Sequence, residues 1–161
     1  MIIISDSTPL VNFAKLGRLD LLQKLFEKVY IPEAVYYEVV IEGEDRPGAV
    51  EVKTATWIER CLVSQEFIDK LTDFALDPGE RESIALALQM GANLLILDEI
   101  TGRKVAHQLK LHITGTIGLL ERAFRQELIN DLKKVLDELR DSGFWVSERL
   151  YQAVLKDNDL I

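Results

Sequence analysis

The sequence lacks the features that mark disulfide-rich, membrane-spanning or secreted proteins. Its 161 residues include one cysteine, Cys61, so no disulfide can form within the chain, and we expect a cytoplasmic, reducing environment. No stretch approaches the roughly 20 apolar residues that a membrane helix needs. Residues 1–4 carry no basic side chain and are soon followed by Asp6, so we expect a buried strand there and no signal peptide.

Positive charge is also scarce. The chain has 27 Asp and Glu residues against 19 Lys and Arg residues, which gives a formal net charge of −8. Nucleic-acid phosphates are bound mainly by Lys and Arg, so this balance argues against a protein that coats nucleic acid. An enzyme that acts on nucleic acid can still be acidic overall, if some carboxylates bind metal and the basic residues are grouped near them.

Short apolar runs alternate with amphipathic segments along the chain. Runs at 2–4, 29–31 and 94–97 are typical of buried parallel strands, and weaker runs lie at 56–63 and 111–113. We predict helices at 9–16, 19–26, 32–40, 66–74, 80–90, 103–109, 117–124, 132–139 and 146–155. Strands that alternate with helices imply right-handed crossovers. The sequence therefore predicts an α/β fold, a three-layer α/β/α sandwich around a mostly parallel sheet of four or five strands.

Two of the predicted strands end at acidic residues. Asp6 follows the first strand, and Asp98 and Glu99 follow a later one. Because ligands of open α/β sheets bind beyond the carboxyl ends of the strands, we expect these carboxylates at one edge. Grouped carboxylates repel each other unless a cation neutralises them, and oxygen ligands without His or Cys favour Mg²⁺ or Mn²⁺ over Zn²⁺. Glu38 and Glu80 lie near helix starts, and their spacing alone does not place them beside Asp6.

Five motifs in a fixed order resemble the PIN-domain family. They are ISDSTPLVNFA at 4–14, IPEAVYYEV at 31–39, DPGERESIALA at 77–87, LILDEITGR at 95–103 and TGT at 114–116. The resemblance extends to VapC-like toxins and to the predicted nucleic-acid-binding PIN proteins of prokaryotes. It implies a PIN-like nuclease domain over 1–125. The remaining residues, 126–161, are expected to form a C-terminal helical extension packed on the same domain.

The resemblance implies a divalent-metal-dependent endoribonuclease that uses Mg²⁺ or Mn²⁺. The side chains to which it assigns roles are Asp6, Glu38, Glu80 and Asp98 as catalytic acids, Asp6, Asp98 and Glu99 as metal ligands, and Ser7, Thr114 and Thr116 as pocket-lining residues. It also implies an RNA substrate and a homodimer. If the chain is the toxin of a toxin–antitoxin pair, an antitoxin protein is a further expected partner. No association with membranes is expected.

A group of basic residues follows the last acidic motif. Arg103, Lys104, His107 and Lys110 fall at helical spacing just after Asp98. We predict that Arg103, Lys104 and Lys110 bind the RNA backbone. Such a group would supply locally the positive charge that the chain lacks as a whole.

Other interpretations of the same residues stay open. Asp6 or Asp98 could cap the helix that follows, Glu38 could be solvated, and an acid such as Glu80 is favoured in any first helical turn. Asp77 is typical of turn or cap chemistry. The chain could also be a catalytically silent PIN-fold module that binds nucleic acid or protein. A receiver-like signalling domain is disfavoured, because the acidic pair, phosphoacceptor Asp and late Lys that it needs are absent from the corresponding strand ends.

Overall fold

A sheet of five parallel strands forms the centre of the structure, a computed structural model that describes residues 1–161. The strands are β1 (Ile3–Ser5), β2 (Val29–Pro32), β3 (Ile58–Cys61), β4 (Leu94–Ile96) and β5 (Ile113–Thr114), and they are arranged in the order β3-β2-β1-β4-β5. Every neighbouring pair is parallel, as expected for apolar runs joined by crossover connections. The predicted three-layer α/β/α sandwich is confirmed.

Helices connect the strands and cover them. They are α1 (Ser7–Lys15), α2 (Asp20–Phe26), α3 (Glu33–Tyr36), α4 (Ala49–Thr54), α5 (Gln65–Asp69), α6 (Pro78–Met90), α7 (Ile100–Gln108), α8 (Thr116–Arg125), α9 (Leu132–Asp141) and α10 (Glu148–Asp157). A π-helical turn, Tyr37–Glu42, continues directly from α3. None of the helices combines the length and the apolar character that crossing a bilayer requires.

The two faces of the sheet are covered by separate hydrophobic layers. Successive side chains of a strand point to opposite faces, and Ile3 and Ile4 of β1 are both fully buried but belong to different clusters. The Ile3 cluster includes side chains of α1, α2, α8, α9 and α10. The Ile4 cluster includes side chains of α6 and α7. Since both faces are covered, the ends of the strands are where a site can form.

The last two helices belong to the same core as the sheet. The buried side chains of α9 and α10 lie in the cluster that contains Ile3, and they are Leu132, Val135, Leu136, Leu139, Tyr151, Val154 and Leu155. The Tyr151 hydroxyl also donates a hydrogen bond of 2.6 Å to Asp137 Oδ1, which joins α10 to α9. The segment 126–161 therefore contributes directly to the hydrophobic layer on one face of the sheet.

The helix predicted from Pro32 is not regular. α3 has four residues and gives way at Tyr37 to the π-helical turn, which ends at Glu42 and is capped by Gly43. A Cβ on Gly43 would collide with the Val39 carbonyl oxygen, so the turn closes on a residue that has no side chain. Single π-helical turns occur often at functional sites, and this one carries Glu38.

The sequence interpretation contains no helix at α4, because the start of this helix has an unusual cap. Gly48 has a φ of +102°, and its N–H donates a hydrogen bond of 2.9 Å to Glu51 Oε2. Glycine tolerates this left-handed conformation, whereas helix starts are usually marked by Ser, Thr, Asp or Asn. The weak apolar run at 56–63 forms the strand β3 only at Ile58–Cys61, so the strand is shorter than the run.

Candidate active site

The acidic site lies where the strand order reverses. β1 pairs with β2 on one side and with β4 on the other, so the connections after β1 and β4 diverge and open a crevice between them. Asp6 follows β1 directly, and its N–H donates a hydrogen bond of 3.0 Å to the Ile96 carbonyl of β4. Asp98 stands two residues beyond β4. The two acids predicted at strand ends therefore lie at the same edge of the sheet.

Three carboxylates from different elements meet at the first turn of α6. A Cβ placed on Gly79 would stand 2.9 Å from Glu38 Oε2, 3.2 Å from Asp6 Oδ1 and 3.5 Å from Asp77 Oδ1. Gly79 thus leaves a small space that the three side chains surround. Glu38 reaches this space from the π-helical turn, so the fold brings it to Asp6 although sequence spacing could not.

A capping box at the start of α6 orients Glu80. Asp77 Oδ1 accepts a hydrogen bond of 2.8 Å from the Glu80 N–H, and Glu80 Oε1 accepts one of 3.2 Å from the Asp77 N–H. Pro78 takes the first helical position, where a missing N–H has no cost. Glu80 Oε2 is buried without a hydrogen-bond partner and lies 2.8 Å from the place of a Cβ on Gly102. Asp77 is thus a helix cap, as its sequence context indicates, and also a carboxylate of the site.

Asp98 is held by α1 and α8. It accepts hydrogen bonds from the Thr116 N–H at 2.7 Å and from Thr116 Oγ1 at 2.6 Å. Asn12 Nδ2 lies 3.4 Å from Asp98 Oδ2 and donates to Thr116 Oγ1 at 3.2 Å, which fixes both partners. A Cβ on Gly115 would stand only 2.6 Å from Asp98 Oδ1, so the close approach of this loop requires glycine. The carboxylate is therefore oriented before any ligand binds.

Burial raises the pKa values of the site acids. The pKa of Asp6 is raised to about 7, mainly by burial and further by the neighbouring carboxylates. The pKa of Glu80 is raised to about 7 for the same two reasons. Partial burial raises the pKa of Glu38, a residue that is otherwise exposed. Burial also raises the pKa of Asp98, and the hydrogen bonds that Asp98 accepts oppose this rise. Without a cation, the site thus retains protons at a pH where exposed carboxyls are ionised.

The donor set fits a hard divalent cation, although the side chains are not already arranged around one. No three His, Cys, Asp or Glu side chains stand close enough together to hold an ion as they are placed. The site nevertheless offers clustered carboxylate oxygens, leaves a space at Gly79, and contains a buried carboxylate oxygen without a partner, Glu80 Oε2. Oxygen ligands of this kind suit Mg²⁺ or Mn²⁺.

The other residues predicted for the site lie at different distances from these acids. Ser7 is buried in the first turn of α1, and its hydroxyl lies near enough to Glu38 to oppose the rise in the pKa of that carboxyl. Glu99 is exposed, and its charge contributes to the raised pKa of Glu80. The Thr114 hydroxyl lies against Gly118 in the first turn of α8. The structure thus groups four acids, which are Asp6, Glu38, Asp77 and Glu80. Asp98 lies at the same edge of the sheet but is held separately.

The three residues predicted to bind RNA are not equivalent. Arg103 Nη1 donates a hydrogen bond of 2.9 Å to the Leu97 carbonyl, and its charge opposes the rise in the pKa of Asp98, so this guanidinium is engaged at the end of β4. Lys104 is exposed on α7. Lys110 is exposed just beyond α7, in a left-handed conformation with a φ of +62°. Of the three, Arg103 is half-buried and the two lysines are exposed.

Two residues that support the site, Asn12 and Ser83, are not among those predicted from the sequence. Asn12 bridges to Asp98 as described, and Ser83 Oγ donates a hydrogen bond of 3.3 Å to Asp6 Oδ1. Both are buried, and each stands among buried apolar residues of its own helix. Buried polar groups need partners, so a polar residue on an apolar helix face is the signal that could have identified them.

Replacing Thr116 by valine should loosen Asp98 without opening a cavity. Thr116→Val removes the Oγ1 donor and leaves the backbone donor in place. We expect the free energy of unfolding to fall by about 1–3 kcal/mol, because Asp98 and Asn12 each lose a buried partner. Urea denaturation measures this change. Thr116→Ser keeps the hydroxyl and is the matched control, and an equal loss in both variants would count against the hydrogen bond as the cause.

Comparison with known proteins identifies the family to which the chain belongs. A family model described as a PIN domain matches residues 2–159, a range that includes α9 and nearly all the residues after it. No curated protein matches the sequence significantly. The parallel sheet, the helices on both of its faces and the acidic strand ends agree with this match. The chain belongs to the PIN-domain family, whose members are generally nucleases that typically use divalent metal ions.

Proposed function

We propose that the chain is a divalent-metal-dependent endoribonuclease, which hydrolyses phosphodiester bonds of RNA. The observation that carries the proposal is the meeting of three carboxylates around Gly79, beside the partnerless Glu80 Oε2. Of the clustered acids, Asp6 and Glu80 are buried, and Glu38 and Asp77 are exposed. A buried carboxylate beside other carboxylates costs stability, and groups perturbed in this way are concentrated at functional sites. Membership of a family of nucleases supports the reaction class.

Different acids are assigned to the ion and to the proton. Asp6, Asp98 and Glu99 are the side chains that would hold Mg²⁺ or Mn²⁺. When bound, such an ion supplies positive charge at the phosphate and a more acidic water. Glu38 and Glu80 are assigned to the attacking water. Glu80 Oε2 has no partner and can accept a proton from that water, and a pKa of about 7 allows the carboxyl to take up and return the proton near neutral pH.

A narrower role, the toxin of a toxin–antitoxin pair, is supported only by the resemblance to VapC-like toxins. An antitoxin would place a basic side chain in the acidic pocket, because the carboxylates around Gly79 have no cation of their own. RNA cleavage that stays unchanged when a partner protein is bound would argue against this role. A homodimer is also proposed, and its support is the resemblance to PIN-domain proteins.

A binding module without catalysis is the second candidate function. It is favoured by the finding that no three side chains are placed to hold an ion. Such a module would keep the PIN fold and bind nucleic acid or protein at the same edge of the sheet. It differs from the nuclease in one measurable respect, because it would leave RNA intact with every metal.

Metal binding and RNA cleavage, measured together, test the proposal. Calorimetric titration with Mn²⁺ should show binding to the wild type that is lost in Asp98→Asn, and the wild type should cleave RNA only with Mg²⁺ or Mn²⁺. Asp157→Asn, an exposed change on α10, should behave as the wild type. Binding without cleavage of any RNA would favour the binding module. The absence of metal binding would contradict the assigned site.

A further inference from the structure

We infer that an unpaired RNA nucleotide binds in a cationic pocket on α7 next to the acidic site, an inference that rests on the proposed ribonuclease function. The pocket has a volume of about 470 Å³. Its lining residues are Ile100, Arg103, Lys104, His107, Gln108 and Ile113. It would hold a nucleotide next to the one whose phosphate is attacked.

The charge of the chain is unevenly distributed, and this pocket lies in the part that lacks acids. No carboxylate occurs between Glu99 and Glu121, although the chain has 27 Asp and Glu residues. The same stretch contains Arg103, Lys104 and Lys110, so it is cationic within a chain of net charge −8. None of the six salt bridges involves a residue of this stretch. The charge of Lys104 is therefore available to a polyanion.

The inner wall of the pocket borders the acidic site. A Cβ on Gly115 would stand 3.0 Å from Arg103 Nη1 and 2.6 Å from Asp98 Oδ1, so the guanidinium and the carboxylate face the same small space. Arg103 is held there by its hydrogen bond to the Leu97 carbonyl. An RNA strand with one phosphate at the acids would thus continue across α7, over the pocket.

The pocket offers both kinds of surface that a nucleotide needs. Ile100, which is 70% exposed, and Ile113 provide apolar surface for the face of a base. Lys104 and His107 provide donors for a phosphate, and the Gln108 amide can pair with a base edge or a 2′-hydroxyl. Bases in a duplex are stacked and paired, so only an unpaired nucleotide can enter. An acidic peptide would use the cations and would have no need of the apolar surface.

Binding can be measured apart from cleavage, with a short fluorescein-labelled single-stranded RNA in EDTA. Lys104→Gln should weaken binding about 3- to 10-fold at low salt and reduce the slope of log Kd against log salt by about 0.7. Lys53→Gln makes the same charge change at an exposed position of α4 and should leave binding unchanged. Ile100→Ser should weaken binding of the single strand severalfold and leave binding of the matching duplex as it was.

The outcomes separate this inference from the proposed function. Equal effects of Lys104→Gln and Lys53→Gln, or a wild type that does not bind RNA, would overturn the pocket. An Ile100→Ser variant that binds RNA normally, with polyglutamate bound as tightly as RNA, would assign the pocket to an acidic protein segment instead. A wild type that binds through the pocket and cleaves nothing would retain the pocket and remove the nuclease. Metal-dependent cleavage by a wild type whose RNA binding is insensitive to Lys104→Gln would retain the nuclease and remove the pocket.

Discussion

Asp6→Asn is expected to lower kcat/KM for RNA cleavage by about 10³-fold or more while the protein stays folded. The Asp6 carboxylate lies at the crevice between β1 and β4, in the space that it shares with Glu38 and Asp77. Asparagine has nearly the same shape but lacks the charge that attracts a divalent cation. Losses of about 10²–10³ follow the removal of even one neutral transition-state donor, and a metal ligand contributes more. Steady-state cleavage of labelled RNA with saturating Mn²⁺ measures the effect.

The control for this prediction removes one carboxylate elsewhere. Asp157→Asn has the same chemistry at an exposed position of α10 and should keep the wild-type rate. Circular dichroism and a urea denaturation curve establish that Asp6→Asn remains folded. A rate within a few-fold of the wild type in Asp6→Asn would refute the assignment of Asp6 as a metal ligand.

The metal-free protein is expected to lose stability as the pH rises from about 4 through about 7. The pKa of Asp6 is about 7 in the folded protein, against an ordinary value of 3.8. The folded state therefore binds more protons than the unfolded state in this interval, and a rising pH favours unfolding. The contribution of Asp6 is fully present below pH 4 and is lost above pH 7. For a carboxyl that is only 4% exposed, the shift corresponds to roughly 4 kcal/mol, and Glu80 acts in the same direction.

Urea denaturation in EDTA at pH 5 and pH 8 measures this dependence, and Asp6→Asn isolates its source. The variant should be more stable than the wild type at pH 8, and the two should differ much less at pH 5. Added Mn²⁺ at pH 8 should stabilise the wild type and have little effect on the variant, because a ligand stabilises only the state that binds it. Parallel pH curves for the two proteins would show that Asp6 is not the responsible group.

The sheet could be predicted from the sequence because its strands are buried on both faces. Such strands are continuous apolar runs, and the runs that contain β1 and β4 are the clearest in the chain. The π-helical turn could not be predicted, since Val35, Val39 and Val40 have a spacing that also suits an α-helix. Whether the segment forms an α-helix or a π-helical turn depends on one added residue per turn and on the close contact at Gly43. Both are set by the packing of the folded chain.

The site was predictable only in part, for a similar reason. Asp6 and Asp98 could be placed at one edge because they follow parallel strands. The meeting at Gly79 depends on how the start of α6 lies against the π-helical turn, and strand positions carry no information about that. Arg103 shows a further limit, because helical spacing indicates the face of a residue and not the end point of a long side chain. Its guanidinium turns back to the Leu97 carbonyl.

The pairing of β1 with β4 also bears on the lifetime of the folded protein. Ile3 pairs with Leu94, so the strands that carry the first and last acids of the site are joined only when distant parts of the chain come together. Pairings of this kind form late, after the entropy of closing a long loop has been lost. Repulsion among the carboxylates is then absent from the early folding steps and is felt mainly in the finished structure. The repulsion should therefore speed unfolding far more than it slows folding, and a bound cation should lower the rate of unfolding.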